Sequence, residues 1–157
     1  MFEQLPPHDI QAEESVIASL MVDSEAVLKV GNLHAADFFR EANAWTFDAC
    51  VSLFNRSETI NQVTVAHELD RRGRLEDVGG LSFLSELILN LPTPVGVEHY
   101  AGIVKRDSTY RQMISAAMSI AQIAYQGDAD LDGGNVLARV SSAGTSTRRA
   151  ISPRDQT

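Results

Sequence analysis

The sequence predicts an all-α protein: a small orthogonal helical bundle, then a long helix and helical hairpin, then a linker. Apolar residues recur at the 3.6-residue spacing of a helix, as in Val16, Ile17, Leu20 and Met21, which share one face. Residues 97–125 continue without a proline, which is about eight helical turns. Alternation of apolar and polar residues, which would indicate a series of strands, is not found along the chain.

Two helices are predicted near the start of the chain. The first follows the proline pair at positions 6 and 7, and Asp9 is placed to cap it. Asp23 ends this helix and, with the serine that follows, caps a second one. The inward-facing residues of the second helix are expected to be Val27, Leu28 and Leu33.

Three further helices complete the predicted bundle. One runs from about residue 41 to residue 55 and presents Cys50 on an apolar face. The next starts near Asn61 and stops at Gly73, which supplies a left-handed cap. A short fifth helix follows Gly79 and its neighbouring glycine. It runs through Leu81, Leu84, Leu87 and Ile88 and ends at Pro92.

The long helix predicted at 97–125 has apolar residues on more than one face. One globule cannot cover all of that surface, so part of it should be buried against another molecule. Residues 135–143 supply a return arm, which makes a helical hairpin. The predicted self-association and partner surface consists of Tyr110, Met113, Ile114, Ala117, Ile120, Ile123, Ala124, Leu137 and Val140.

These elements divide the chain into three predicted parts. Residues 1–96 form a helical globule, residues 97–143 form the hairpin, and residues 144–157 form a linker rich in Ser, Thr and Arg. The linker reaches the end of the sequence without a terminating element, and we expect the native polypeptide to continue beyond it.

Composition indicates a cytoplasmic protein. A single cysteine rules out an internal disulfide framework and suits a reducing compartment. The first residues have neither the basic nor the apolar region of a signal peptide. The longest apolar stretch, at 16–22, is far too short to span a membrane.

The net charge of −8 is unevenly distributed. Acidic residues dominate the body of the chain, whereas residues 133–157 carry four arginines against one aspartate. An acidic body repels phosphate backbones and argues against a stand-alone nucleic-acid-binding protein. The basic tail could contact DNA, but a solvated linker is the simpler interpretation.

A nucleotide-binding phosphate loop is absent from the sequence. Such a loop needs a lysine directly after a glycine, and the two lysines, Lys29 and Lys105, follow Leu28 and Val104. We therefore expect no ATP site in this chain.

The segment from Asp128 to Asp132 resembles the start of an EF-hand calcium loop. That loop needs a bidentate acid at its twelfth position, and Arg139 occupies this position here. A polar turn whose aspartates are solvated is the better interpretation.

Other catalytic and metal-binding constellations are also missing. Four scattered histidines and one cysteine have none of the spacings of a structural zinc site. Cys50 is expected to be a small buried hydrophobe, and no G-x-S-x-G elbow presents a nucleophile. We expect no catalytic, cofactor-binding or metal-binding residue, and thus no enzyme.

Five segments together resemble the amino-terminal part of DnaB-type bacterial replicative DNA helicases. The resemblance covers residues 5 to about 132, in order and with the spacing of the family. The segments are Leu5-Pro6-Pro7 with Ala12-Glu13, Asp37-Phe38-Phe39-Arg40, Val63-Thr64-Val65-Ala66, Val78-Gly79-Gly80-Leu81, and Asn90-Leu91-Pro92-Thr93 with Tyr100-Ala101.

The resemblance implies a non-catalytic domain whose hairpin pairs with that of a neighbouring subunit. Such pairs would build a hexameric ring as a trimer of dimers, which recruits primase and also contacts a helicase loader. ATP, Mg²⁺ and most DNA contacts would belong to a motor domain outside these residues. Departures include Asn43, where many relatives have histidine, and the glycines at 133 and 134, which interrupt the return arm.

The alternative is a stand-alone helical nucleic-acid-binding regulator that uses Arg148 and Arg149 in the basic tail. The reading frame beyond residue 157 distinguishes the two hypotheses, because a motor domain encoded there removes the regulator.

Overall fold

A computed structural model describes residues 4–92, 96–127 and 137–144. These residues form helices and connecting loops without a strand, which confirms the predicted all-helical class. The α-helices are α1 (Ile10–Val22), α2 (Glu41–Asn55), α3 (Gln62–Arg71), α4 (Leu75–Val78), α5 (Gly80–Leu89) and α6 (Val97–Gln126). Two 3-10 helices, Ser24–Val30 and Ala35–Asp37, join α1 to α2, and residues 137–144 are also helical.

The chain packs as two compact units. The globular unit comprises residues 8–106, and the arm unit comprises residues 1–7 with residues 107–157. The boundary therefore lies within α6, further along the chain than the division at residue 96 inferred from the sequence. The reason is that Val97, Tyr100 and Val104, in the first turns of α6, are buried in the core of the globular unit.

Side-chain caps fix the starts of two helices in the globular unit. The Asp9 carboxylate accepts a hydrogen bond from the Ala12 N–H at 2.9 Å, which confirms the predicted cap of α1. The Asn61 side chain accepts from the N–H groups of Val63 and Thr64 at 2.9 and 3.0 Å, and so caps α3. These bonds satisfy N–H groups that have no partner within their own helix.

The end of α3 is a Schellman motif. Gly73 has a φ of +70°, and its N–H donates to the Asp70 carbonyl at 2.9 Å. The Arg74 N–H donates to the Leu69 carbonyl at 2.8 Å. A left-handed residue is needed at this position, and glycine adopts it without a Cβ clash. The predicted stop at Gly73 is confirmed.

The core of the globular unit lies between α1, α2, α3 and α5. α1 packs against α2 and α5, and α2 packs against α3. The predicted apolar face of α1 is turned into this core, because Val16, Ile17, Leu20 and Met21 are all buried. Cys50 is also buried, and burial raises the pKa of its thiol to about 12. It is therefore a core residue with little thiolate character.

Leu28, which was predicted to face inward, is exposed, and so is Leu81 of α5. Leu28 is 71% exposed, because residues 24–30 form a 3-10 helix in which positions three apart share a face. Val27 and Val30 form the buried column. Leu81 is 54% exposed, since it lies about 90° around α5 from the midpoint of Leu84 and Leu87, which are buried.

Leu33, the remaining residue predicted to face inward, is buried. Ile88 of α5 is half-buried. Helix α4, a single turn that ends at Gly79 with a φ of +113°, is not predicted from the sequence. Among the described helices, none combines the length and apolarity needed to cross a membrane.

Candidate self-association surface

A continuous apolar stripe runs along the exposed side of α6 in the arm unit. Its residues recur every three or four positions, so that they lie within an arc of about 140°. We call this set the arm stripe: Tyr110, Met113, Ile114, Ala117, Met118, Ala121, Ala124 and Tyr125, all of them exposed.

All residues of the arm stripe except Tyr110 lie on a helical segment without charge. From Gln112 to Gln126, α6 has no Asp, Glu, Lys or Arg. A solvent-facing helix of about four turns normally carries charged side chains opposite its buried face. Large apolar side chains stay exposed within this segment, and Met118 is 68% and Tyr125 is 92% exposed. An uncharged apolar strip of this length is typical of a protein–protein contact.

The structure divides the predicted surface residues between two faces of α6. Tyr110, Met113, Ile114, Ala117 and Ala124 belong to the arm stripe.

The other predicted α6 residues, Ile120 and Ile123, are half-buried with Ala116 on the adjacent face. In the 137–144 helix, Leu137 is exposed and Val140 is half-buried.

Three members of the arm stripe are missing from the predicted surface. They are Met118, Ala121 and Tyr125, and their spacing carries the signal that could have identified them. Met118 and Ala121 lie four and seven positions after Ile114, on the same side of the helix.

Residues 4–7 border the arm stripe on one flank. The guanidinium of Arg111 donates a hydrogen bond to the Pro7 carbonyl at 2.7 Å, which ties this segment to α6. A groove of about 500 Å³ opens beside the tie. Its lining consists of Pro6, Arg111, Ile114, Ser115, Met118, Ser119 and Gln122. The groove thus shares Ile114 and Met118 with the arm stripe.

In the globular unit, the carboxylate whose pKa is lowered most strongly has a structural role. Glu68 on α3 is almost fully buried and accepts hydrogen bonds from Arg56 at 2.8 Å, Arg71 at 2.7 Å and Arg72 at 2.9 Å. The hydrogen bonds from Arg56, then Arg71, hold the pKa of Glu68 well below its ordinary value. All three partners are themselves cations, so the cluster holds Glu68 ionised and offers neither a base nor a nucleophile.

A second carboxylate, Glu13 on α1, holds the loop before α2. It accepts hydrogen bonds from the Phe39 N–H at 2.7 Å, the Arg40 N–H at 3.3 Å and the Asn43 side chain at 3.1 Å. Asn43 is fully buried. These contacts are structural, because the three donors are two backbone N–H groups and a buried amide.

Several features singled out in the sequence lie outside the described residues. They are the aspartates at 128, 130 and 132, most of the return-arm turn, and the basic tail with Arg148 and Arg149. Within the described residues, His, Cys, Asp and Glu do not gather in groups that could hold a metal ion.

The chain matches known proteins along nearly its whole length. The family model described as DnaB-like helicase N terminal domain matches residues 5–106. A replicative DNA helicase DnaB from Mycobacterium leprae is 37% identical over 139 residues, which are 88% of this chain and 23% of that protein. The Geobacillus stearothermophilus replicative DNA helicase DnaB is 38% identical over 131 residues, which are 83% of this chain and 29% of that protein.

A solved structure agrees with the fold. The crystal structure of the N-terminal domain of DnaB helicase from Mycobacterium tuberculosis superposes with a TM-score of 0.84 at 34% identity. The match covers 90% of this chain and 99% of that one. The chain spans about a quarter of the length of the curated helicases it matches. Since the family model covers the whole globular unit and the relatives extend into the arm unit, this chain belongs to the DnaB-like helicase N-terminal domain family.

Proposed function

We propose that this chain is a non-catalytic self-association domain of a hexameric replicative DNA helicase and that the arm stripe is its contact surface. The observation that carries the proposal is the uncharged segment of α6 between Gln112 and Gln126, which keeps Met118 and Tyr125 exposed. Family membership supplies the parent protein, since the relatives are named replicative DNA helicases.

Self-association would remove the arm stripe from water. Each large apolar side chain that becomes fully buried contributes about 1.5–3 kcal/mol. A surface that pairs with itself around a two-fold axis is the simplest closed contact. Three such dimers around a three-fold axis give a hexameric ring, which is the assembly that the family resemblance implies.

Sedimentation equilibrium of the purified chain tests the proposal. The wild-type chain should shift from monomer towards dimer as its concentration rises to about 300 µM, a range that corresponds to a weak, specific contact. Ala117→Asp, in the centre of the arm stripe, should abolish the shift because its carboxylate would be desolvated without a partner.

Gln126→Asp is the matched control. It adds the same charge to the same helix but points away from the arm stripe, so that dimerisation should persist. If the wild-type chain stays monomeric at the highest concentration, the self-association proposal is wrong. If Ala117→Asp dimerises as well as the wild type, the contact lies on another surface.

The proposal gives this chain no catalytic step and no cofactor of its own. ATP and Mg²⁺ are assigned to the motor domain of the parent helicase, because the sequence lacks the glycine–lysine pair of a phosphate loop. The purified chain should therefore not hydrolyse ATP in the presence of Mg²⁺. A turnover that disappears after a point substitution within residues 1–157 would contradict this.

Docking of primase and of a helicase loader is included in the proposal on family membership alone. The test is a titration of the dimeric chain with primase from the same organism, followed by fluorescence anisotropy. Binding that is retained in Gln126→Asp but lost in Ala117→Asp would tie primase recognition to the assembled dimer. No binding by the wild-type chain contradicts this part of the proposal.

A further inference from the structure

We infer that Tyr125 of a second copy occupies the groove between residues 4–7 and α6, in an antiparallel pairing of two arm stripes. This inference rests on the proposed self-association and specifies its geometry. Three observations carry it: the composition of the groove, the exposure of Tyr125, and the flank of the arm stripe on which both lie.

The groove suits an aromatic side chain with a polar tip. Pro6, Ile114 and Met118 supply apolar walls for a ring, and Ser115, Ser119 and Gln122 supply hydroxyl and amide groups at the rim. Arg111 adds a guanidinium, the group that stacks most readily on aromatic faces. With about 500 Å³, the groove has room for a tyrosine, whose hydroxyl seeks a hydrogen-bond partner when it is buried.

Tyr125 is the exposed aromatic side chain that fits this groove. At 92% it is the most exposed large apolar residue in the described part of the chain. It ends the arm stripe fifteen positions after Tyr110, a separation of about 22 Å along the helix. Its own copy's groove lies around positions 111–122, nearer the start of α6. A second copy can bring Tyr125 to that groove if its helix runs in the opposite direction.

Two-fold symmetry fixes the register of such a pair. Complete burial of both arm stripes requires the axis to pass near their midpoint, between Ala117 and Met118. Position 125 of one copy then lies opposite position 110 of the other. Arg111 and Ile114, which line the groove, are in that same turn.

The same symmetry also determines on which flank of the contact Tyr125 of the second copy lies. A two-fold axis that pairs antiparallel helices keeps each side chain on its own flank of the contact. Taking Tyr110 as zero, Ile114, Tyr125 and Met118 lie at about 40°, 60° and 80° around α6. Met113, Ala117 and Ala124 lie on the opposite flank. Tyr125 of the second copy therefore arrives on the flank that carries the groove.

Residues 4–7 act in this contact as a wall. The 2.7 Å hydrogen bond from Arg111 to the Pro7 carbonyl holds Pro6 beside Ile114 and Met118. These four residues belong to the arm unit, together with the described part of α6 that follows residue 106. In a symmetric dimer the groove is used twice, since each copy gives one tyrosine and receives one.

Photo-crosslinking of the full chain tests the placement. A chain with p-benzoylphenylalanine in place of Tyr125 keeps an aromatic ring at that position and is mixed with isotope-labelled wild-type chain. Ultraviolet irradiation should join position 125 to residues 5–7 or 111–122 of the labelled copy, as identified by mass spectrometry. The same photoreactive residue in place of Gln126, which points away from the arm stripe, should give no such product.

Sedimentation equilibrium of point variants gives the energetic test. Tyr125→Ala should raise the dimer dissociation constant about tenfold or more, as for a buried aromatic anchor. Tyr125→Phe should retain most of the wild-type affinity, and Gln126→Ala should leave the dimer dissociation constant unchanged. Circular dichroism verifies that each variant is folded.

The outcomes separate this inference from the proposed function. A dimer whose crosslinks join position 125 to position 125 has parallel arm stripes and overturns the inference while self-association stands. A dimer of unchanged affinity in Tyr125→Ala also overturns it. A wild-type chain that remains monomeric overturns both.

Discussion

Glu13 and Phe39 join the first helix to the loop that precedes α2. Oε2 of Glu13 accepts a hydrogen bond from the Phe39 N–H at 2.7 Å, although Glu13 is only 1% exposed. A carboxylate can be buried in this way because the fold supplies backbone and amide donors around it. The connection also explains why a charged residue occurs among the mostly apolar buried residues of α1.

Glu13→Gln should destabilise the chain by about 1–3 kcal/mol, because one acceptor oxygen becomes a donor that faces N–H groups. Urea unfolding, followed by far-UV circular dichroism, gives the free energy. Glu14→Gln is the matched control. Glu14 is partly exposed and contacts Arg40 at 3.4 Å, so that the control should cost less than about 1 kcal/mol. Equal effects of the two substitutions would argue against the structural role of Glu13.

The Glu68 cluster predicts a pH dependence of stability. The pKa of Glu68 is lowered from its ordinary value of 4.5 by hydrogen bonds from Arg56, Arg71 and Arg72. A carboxylate whose pKa is depressed in the folded state stabilises that state above its unfolded pKa. The contribution declines as pH falls below about 4.5 and is lost as pH passes through the depressed pKa.

Glu68→Gln should therefore cost about 1–2 kcal/mol near neutral pH, since the guanidinium partners are partly solvated. In urea titrations at about pH 3, the difference in unfolding free energy between this variant and the wild type should become smaller. Glu58→Gln is the control, because Glu58 is half-exposed and pairs with Arg56 alone. A difference that is independent of pH would contradict the assignment.

Two glycines of the globular unit predict opposite effects of the same substitution. Gly73 needs its φ of +70° for the Schellman motif, so Gly73→Ala should destabilise by about 1–2 kcal/mol. Gly102 lies inside α6 with open space around the position of a Cβ. Gly102→Ala should stabilise by about 0.5–1 kcal/mol, because alanine has the better helix propensity. Thermal unfolding of both variants shows whether each substitution raises or lowers stability. A change in the same direction for both would contradict the roles assigned to the two glycines.

Local chemistry made much of the fold predictable. Asp9 and Asn61 predict helix starts, because their side chains accept hydrogen bonds from nearby backbone N–H groups. Gly73 predicts a helix end, because few other residues adopt its left-handed conformation. Leu28 could not be placed in the same way. Its exposure depends on whether residues 24–30 form an α-helix or a 3-10 helix, a difference that tertiary packing decides.

The sequence places the candidate surface on α6 but does not assign its residues to one face of that helix. The apolar residues of α6 lie on more than one face, and the sequence alone cannot tell which face the chain buries itself. The structure leaves Met118 and Tyr125 exposed and half-buries Ile120 and Ile123. Residues 4–7, distant in sequence, enter the surface through Arg111, and helical spacing does not reveal that contact.

The difference between the two faces of α6 gives the last prediction. Ile120 is half-buried, so Ile120→Asp should lower the stability of the monomer by about 1–3 kcal/mol. Ala117 is exposed in the arm stripe, so Ala117→Asp should cost the monomer only about 0.5 kcal/mol of helix propensity. Its main effect should be the loss of dimer. Thermal unfolding of dilute monomer, together with sedimentation at high concentration, separates the two quantities. If Ile120→Asp abolishes the dimer without lowering the unfolding temperature of the monomer, the contact lies on the half-buried face. Ile120 would then pack against the second copy and contribute little to the stability of its own chain.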